Sequence, residues 1–163
     1  MRTMLMLTLA LGGCATVSES ALLDIAQRYR EYGYVDEIPR VAPTMCKAPT
    51  RPAARLSASR DETTHGQKTY YLFAKDRLAY LHAKDLDQPE GQVVVKESWI
   101  RLHQEAGPLF IMLKSGGHWT YATLTPNGRE VTARGRLVSC IECHESESTR
   151  DRMFGVASCA AAK

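Results

Sequence analysis

The feature that most constrains this chain is the run CIECH at residues 140–144, close to the C-terminal end of the sequence. A Cys-x-x-Cys-His run is the attachment sequence of c-type haem, in which both thiols form thioethers with the macrocycle and the histidine binds the iron. One helical turn brings two thiols at this spacing to the same edge of a porphyrin. We therefore expect a short helix that carries one covalent haem c through Cys140 and Cys143, with His144 as the proximal iron ligand.

Two other uses of paired cysteines compete with haem attachment. A zinc ribbon needs a second Cys-x-x-Cys pair, and the remaining cysteines, Cys14, Cys46 and Cys159, form none. A thioredoxin-like dithiol needs no following histidine and usually opens a helix that follows a strand near the N-terminus. The histidine and the position of the motif both favour haem over these alternatives.

The first thirteen residues, MRTMLMLTLALGG, have one arginine followed by an apolar run that is too short to span a bilayer. This pattern predicts a secretory signal peptide over residues 1–13. Small residues directly before Cys14 are typical of a bacterial lipoprotein, in which cleavage leaves Cys14 as a lipidated N-terminus. The alternative is an ordinary signal peptide that is cut near Ala15. Either interpretation predicts a periplasmic protein, and lipidation predicts that it is anchored to the membrane.

Cys46 and Cys159 remain once lipid and haem have used the other three cysteines. The periplasm permits disulfides, and we expect these two residues to pair. A bridge that closes so long a loop stabilises a fold by about 4 to 5 kcal/mol if its geometry is unstrained. The alternative is that they are two unrelated thiols.

The hydrophobic pattern predicts one α+β domain over residues 14–163: a twisted antiparallel β-sheet with an N-terminal helix and a short C-terminal haem-bearing helix. Helices are expected over 20–33, 76–84 and 137–145, strands over 68–75, 92–102, 109–114 and 118–125, and turns over 104–108, 115–117 and 126–128. A four-helix-bundle cytochrome would show long helices throughout, so this class is disfavoured. A small electron-transfer cytochrome usually has its motif near the N-terminus.

Six segments between about His65 and Gly155 resemble the cytochrome P-460 family: HGQKTYYLFAKD, PEGQVVVKESW, LFIMLK, HWTYATLTPNG, SCIECH and RDRMFG. The resemblance implies an antiparallel sheet, often in a homodimer, and a five-coordinate haem with an open distal side. Members of the family oxidise hydroxylamine or bind nitric oxide. It also implies a redox partner protein that accepts electrons.

In the hydroxylamine-oxidising members of that family a lysine is covalently linked to the porphyrin rim, and Lys96 matches it by position. Lys96 points inward if its neighbours on the strand face, Val94, Ser98 and Ile100, lie in the core. If residues 93, 95, 97 and 99 face the core instead, Lys96 is solvated. The two faces are similarly apolar, so the pattern leaves both alternatives open.

Several other side chains are weaker candidates for the site. Glu97, Arg101 and Glu105 could move protons or neutralise the haem propionates. Arg134 and Arg136, just before the motif, suit the propionates better. Met153 is expected to pack beside the haem, and Trp119 to line a pocket. The histidines that could offer a sixth ligand are His65, His82, His103 and His118.

The formal net charge of +3 comes with no basic block interleaved with aromatics, so we expect no nucleic-acid partner. Three functions remain after that exclusion. The first is oxidation of a small nitrogen compound such as hydroxylamine at the haem iron. The second is binding or sensing of nitric oxide without catalysis. The third is simple electron transfer, which needs two axial ligands and little pocket.

Overall fold

The computed structural model describes residues 17–35, 40–41, 69–83, 86–100, 105–145, 151 and 153. The predicted signal peptide, Cys14, Cys46 and Cys159 lie outside these residues. Among the described helices, none is long and apolar enough to cross a membrane. The elements are α1 (Glu19–Arg28), a 3₁₀ turn (Tyr29–Tyr32), β1 (Arg40–Val41), β2 (Thr69–Ala74), α2 (Arg77–Leu81), β3 (Val93–Ile100), β4 (Glu105–Ser115), β5 (His118–Leu124), β6 (Val131–Gly135) and α3 (Val138–Glu145).

The predicted N-terminal helix is confirmed, and its ends have local causes. The backbone N–H of Ala21 donates to the hydroxyl of Ser18 at 3.2 Å, which caps the first turn of α1. Leu22, Ile25 and Ala26 are buried at helical spacing. The 3₁₀ turn that follows ends at Gly33, whose φ of +76° suits a residue without a Cβ.

The strands form one antiparallel sheet in sequential order from β1 to β6, with the short β1 at one edge. The predicted strands β2, β3 and β5 agree with the structure to within two residues at each end. β6 was not predicted from the sequence. Its five residues, VTARG, are all at least partly exposed, so they lack the apolar pattern that identifies a buried strand.

The predicted turn over 104–108 is wrong for residues 105–108, which begin β4. The pairing of β3 with β4 shifts register between Glu97 and Trp99, which marks a β-bulge. A Cβ on Gly107 would lie 2.7 Å from Ser98 Oγ and 3.1 Å from Ser98 O, so a glycine is needed at this close approach. Glycine and proline at 107 and 108 therefore mark a bulge within a strand.

The sheet has a helix on each of its two faces. On one face α1 packs against β3 and β4 in a cluster that contains Leu22, Val95 and Ile111. The opposite face is called the motif face here and is defined by Val94, Lys96, Met112, Trp119 and Tyr121. Leu137, Cys140 and Ile141 pack against the apolar cluster of that face. Both faces are covered, which explains the uninterrupted apolar run at the start of β3.

An ion pair joins the 3₁₀ turn to β3 on the α1 face. The guanidinium of Arg30 donates to Glu97 at 2.5 Å, and Glu97 is only 7% exposed. Tyr29 lies beside this pair, and burial, with a smaller contribution from the Glu97 charge, raises the pKa of Tyr29 to about 12. The folded chain therefore keeps the phenol proton at a pH where an exposed tyrosine has lost it.

Tyr29 should make the fold sensitive to alkali. The unfolded chain loses this proton near pH 10. The contribution of Tyr29 to the free energy of unfolding is therefore complete below that pH, and it falls by about 2 to 3 kcal/mol between about pH 10 and 12. Tyr29→Phe should remove this part of the loss, measured by urea unfolding at pH 9, 10 and 11. Tyr34→Phe, at a half-exposed ring, is the matched control. An unchanged alkaline slope in Tyr29→Phe would contradict the expectation.

Candidate functional site

The predicted helix at the motif is present as α3. Along this segment Leu137, Cys140, Ile141 and His144 are partly buried, whereas Val138, Ser139, Glu142 and Glu145 are exposed. The partly buried residues recur at the spacing of one helix face. The partly buried side of α3 therefore faces the motif face of the sheet, and Cys140 and His144 belong to it. Cys143 lies at the border of this side.

Both motif cysteines are partly buried. Burial raises the pKa of the Cys140 thiol above its usual value. Redox-active dithiols have the opposite property, a lowered pKa that makes one thiolate available near neutral pH. This difference argues against the dithiol alternative. Among the residues that the structure describes, no three His, Cys, Asp or Glu side chains are grouped so that they could hold a metal ion.

The imidazole of His144 lies against an aromatic ring of the sheet. Its ring centroid is 5.3 Å from that of Tyr121, and the two planes are tilted by 49°. Tyr121 is on β5 and is only 4% exposed. Because a buried ring in a strand has little freedom to move, Tyr121 restrains the orientation of His144.

Lys96 lies on the motif face, in register with Leu72 of β2 and Phe110 of β4. Its ammonium nitrogen is 4.2 Å from the centre of the Tyr70 ring and 6.0 Å from that of Phe110. These distances suit cation–π attraction, which holds the charge at a partly buried position. The side chain is thus neither fully buried nor fully solvated.

The structure brings Lys96 and the motif to the same face of the sheet. β3 and β5 are separated by one strand, and Lys96 is level with Thr123, two residues along β5 from Tyr121. Lys96 and Tyr121 are therefore roughly 12 Å apart on the sheet, given a strand spacing of about 4.8 Å and a rise of about 3.4 Å per residue. Tyr121 contacts His144. A group as wide as a porphyrin that is held at α3 could therefore extend towards Lys96.

Two predicted site residues lie on the face of the sheet opposite the motif face. Glu97 follows Lys96 in β3, so its side chain projects to the α1 face, where it pairs with Arg30. It cannot accept protons beside the motif. Arg134 also points to the α1 face: it donates to the backbone oxygen of Val17 at 2.9 Å. Arg136 is exposed just before α3 and stays a candidate for propionate binding.

The remaining predicted residues divide between buried and exposed positions. Met153 is 2% exposed and belongs to the motif-face cluster, as expected of a residue that packs beside the haem. Trp119 is 3% exposed in the same cluster. His82, His118 and Glu105 are exposed, and His65, Arg101 and His103 lie outside the described residues.

The sequence did not reveal a buried ion pair on the motif face. Lys114 Nζ donates to Asp151 Oδ2 at 2.6 Å, with side chains 10% and 15% exposed. Asp151 has a left-handed backbone with φ of +57°, which costs about 1 to 2 kcal/mol in a residue with a Cβ. Lys114 and Asp151 are 37 positions apart in the sequence. Only the apolar run before Lys114 could have indicated that this lysine is buried.

A covalent haem fits the residues that are present. The two thiols are one helical turn apart and followed directly by an imidazole. α3 has no fully buried residue, so part of its apolar stripe is left for a further group to cover.

These conclusions rest on the chain itself. A scan against models of protein families and a search of curated proteins each found no match for this sequence.

Proposed function

We propose that this chain is a mono-haem c protein of cytochrome P-460 type that binds or oxidises small nitrogen species such as hydroxylamine and nitric oxide. Cys140 and Cys143 would hold the haem by thioether bonds, and His144 would bind its iron. The observation that carries the proposal is that α3 presents the motif to the same sheet face as Lys96. When bound, the haem supplies a redox-active iron that can take a small ligand.

The motif face supports the proposal through its composition. Tyr70, Phe110, Met112 and Tyr121 contribute aromatic or thioether side chains that are each at most 9% exposed. Such side chains suit a flat apolar macrocycle.

The same observation favours a second candidate function, binding of nitric oxide without oxidation. Removing electrons from hydroxylamine also releases protons, which need an acceptor near the ligand. Glu97, the carboxylate that the sequence offered for this role, is on the α1 face. Gas binding needs no such group.

The rest of the proposed function comes from the sequence. We propose that the protein is exported, that Cys14 carries a lipid anchor on the periplasmic side, and that Cys46 pairs with Cys159. An oxidising role would also require a redox partner protein. As the resemblance to the P-460 family implies, two copies would form a homodimer.

Titration with ligands should separate the three functions. The purified haem-loaded protein is expected to bind one nitric oxide per chain in the ferrous state, with a shift of its Soret band. In the ferric state, hydroxylamine should reduce an added acceptor dye only if the protein is an oxidase. Absorption spectra record both results. Sharp α and β bands that nitric oxide leaves unchanged would indicate two fixed axial ligands and an electron carrier.

A further inference from the structure

Lys114, Asp151 and Trp119 form a buried polar group at one end of the motif face, here called the latch. Asp151 Oδ2 accepts from Lys114 Nζ at 2.6 Å and from the backbone N–H of Gln88 at 2.8 Å. The indole N–H of Trp119 donates to Asp151 O at 3.0 Å. Lys114 also donates to Gln88 O at 2.7 Å. Each charge therefore has several partners, which fixes the position of Asp151 on the sheet.

The latch is joined to α3 by the chain and by packing. Asp151 is the seventh residue after His144 in the sequence. Two residues later Met153 is 2% exposed, in the cluster against which Cys140 and Ile141 pack.

A second connection runs along β5. Trp119 of the latch and Tyr121 are alternate residues of that strand, so their side chains share the motif face. The ring of Tyr121 contacts the imidazole of His144. Loss of the hydrogen bond between Trp119 and Asp151 would thus give the Trp119 side chain more freedom to move. Trp119 is two positions from Tyr121, the residue that restrains His144.

We propose that Lys114 and Asp151 are positioning residues: the latch holds α3 on the motif face and thereby sets the orientation of His144 towards the haem iron. The proposal rests on the proposed haem attachment. The left-handed backbone of Asp151 agrees with it, because strained residues persist where the surrounding contacts over-determine them. Neither Lys114 nor Asp151 takes part in the attachment itself.

The test uses Asp151→Asn in the haem-loaded protein. Asparagine keeps the shape and tolerates the left-handed backbone, but it leaves the Lys114 charge buried without a counter-charge. Haem should stay covalently attached. The iron–imidazole stretching band in the resonance Raman spectrum should shift or broaden. The amide of Ile141, which bonds to Leu137 O at 3.0 Å, should exchange hydrogen about 10-fold faster.

Leu22 in α1 distinguishes positioning from general destabilisation. Its amide bonds to Ser18 O at 3.3 Å on the far side of the sheet, and its exchange rate should not change. An unchanged iron–imidazole band, or equal acceleration at Leu22 and Ile141, would overturn the proposal. If the wild-type chain carries no haem, the proposed function is contradicted. The anchoring of α3 is tested separately, by comparing the exchange rates of Ile141 and Leu22.

Three further variants complete the experiment. Trp119→Phe removes the indole N–H, which donates to both the backbone oxygen and Oδ1 of Asp151, and it keeps an aromatic ring. It should give a smaller effect of the same kind, so it serves if Asp151→Asn does not fold. The double variant Lys114→Gln/Asp151→Asn leaves no unpaired charge and should return both readouts towards wild type. Glu31→Gln neutralises an exposed carboxylate paired with Arg28 and should change neither readout.

Discussion

Replacing both Cys140 and Cys143 with serine should abolish covalent haem attachment, because a serine hydroxyl cannot form the thioether that a thiol forms with a vinyl group. Each single variant should keep one link and hold the haem less firmly. The protein would be produced in cells that attach c-type haem in the periplasm. Haem staining after denaturing electrophoresis and intact-mass analysis both report the covalent product.

Glu142→Ala is the matched control for the cysteine variants. Glu142 lies between the two cysteines on α3 and is exposed, so its replacement changes the motif helix without removing a thiol. Haem attachment in this variant should equal that of the wild type. Retention of covalent haem in the double serine variant would show that the thiols of α3 do not hold it.

Lys96→Met should produce the second large effect, a change in the electronic spectrum of the haem. If the Lys96 nitrogen is attached to the porphyrin rim, the ferrous wild type has a strongly red-shifted Soret band. Methionine has similar length and no amine, so the variant should keep its covalent haem and lose the red shift. The new N–C bond replaces an N–H and a C–H bond, so its formation requires a two-electron oxidant such as a peroxide.

Lys75→Met is the control for Lys96. Lys75 follows β2 and is exposed, so its replacement should leave the spectrum unchanged. A red shift that survives in Lys96→Met would show that another residue makes the link. An ordinary five-coordinate spectrum in the wild type would show that Lys96 is not cross-linked to the haem, and it would favour nitric oxide binding as the function.

The N-terminal helix could be predicted because it is buried on one side, and the central strands could be predicted because they are short apolar runs bounded by turn residues. α1 buries Leu22, Ile25 and Ala26 at helical spacing, and the glycines at 116 and 117 mark the turn between β4 and β5. β6 lacked such a signal because all of its residues remain partly exposed. The bulge at Gly107 was mistaken for a turn because both features use glycine.

The site was harder to predict than the fold. Helices cover both faces of the sheet, so hydrophobic alternation along β3 could not decide which face Lys96 would occupy. Strand alternation alone could have shown that Glu97 projects away from Lys96. The pairing of Lys114 with Asp151 depends on where the chain returns after α3, which local sequence patterns do not encode.

The central claim is that one haem is fastened to the motif of α3, and mass spectrometry of the digested wild-type protein tests it most directly. Trypsin cleavage after Arg136 and Arg150 releases a peptide, residues 137–150, that contains both motif cysteines. The account predicts that this peptide, and no other, carries the mass of one haem. An unmodified peptide 137–150 from protein made in cells that attach c-type haem would contradict it.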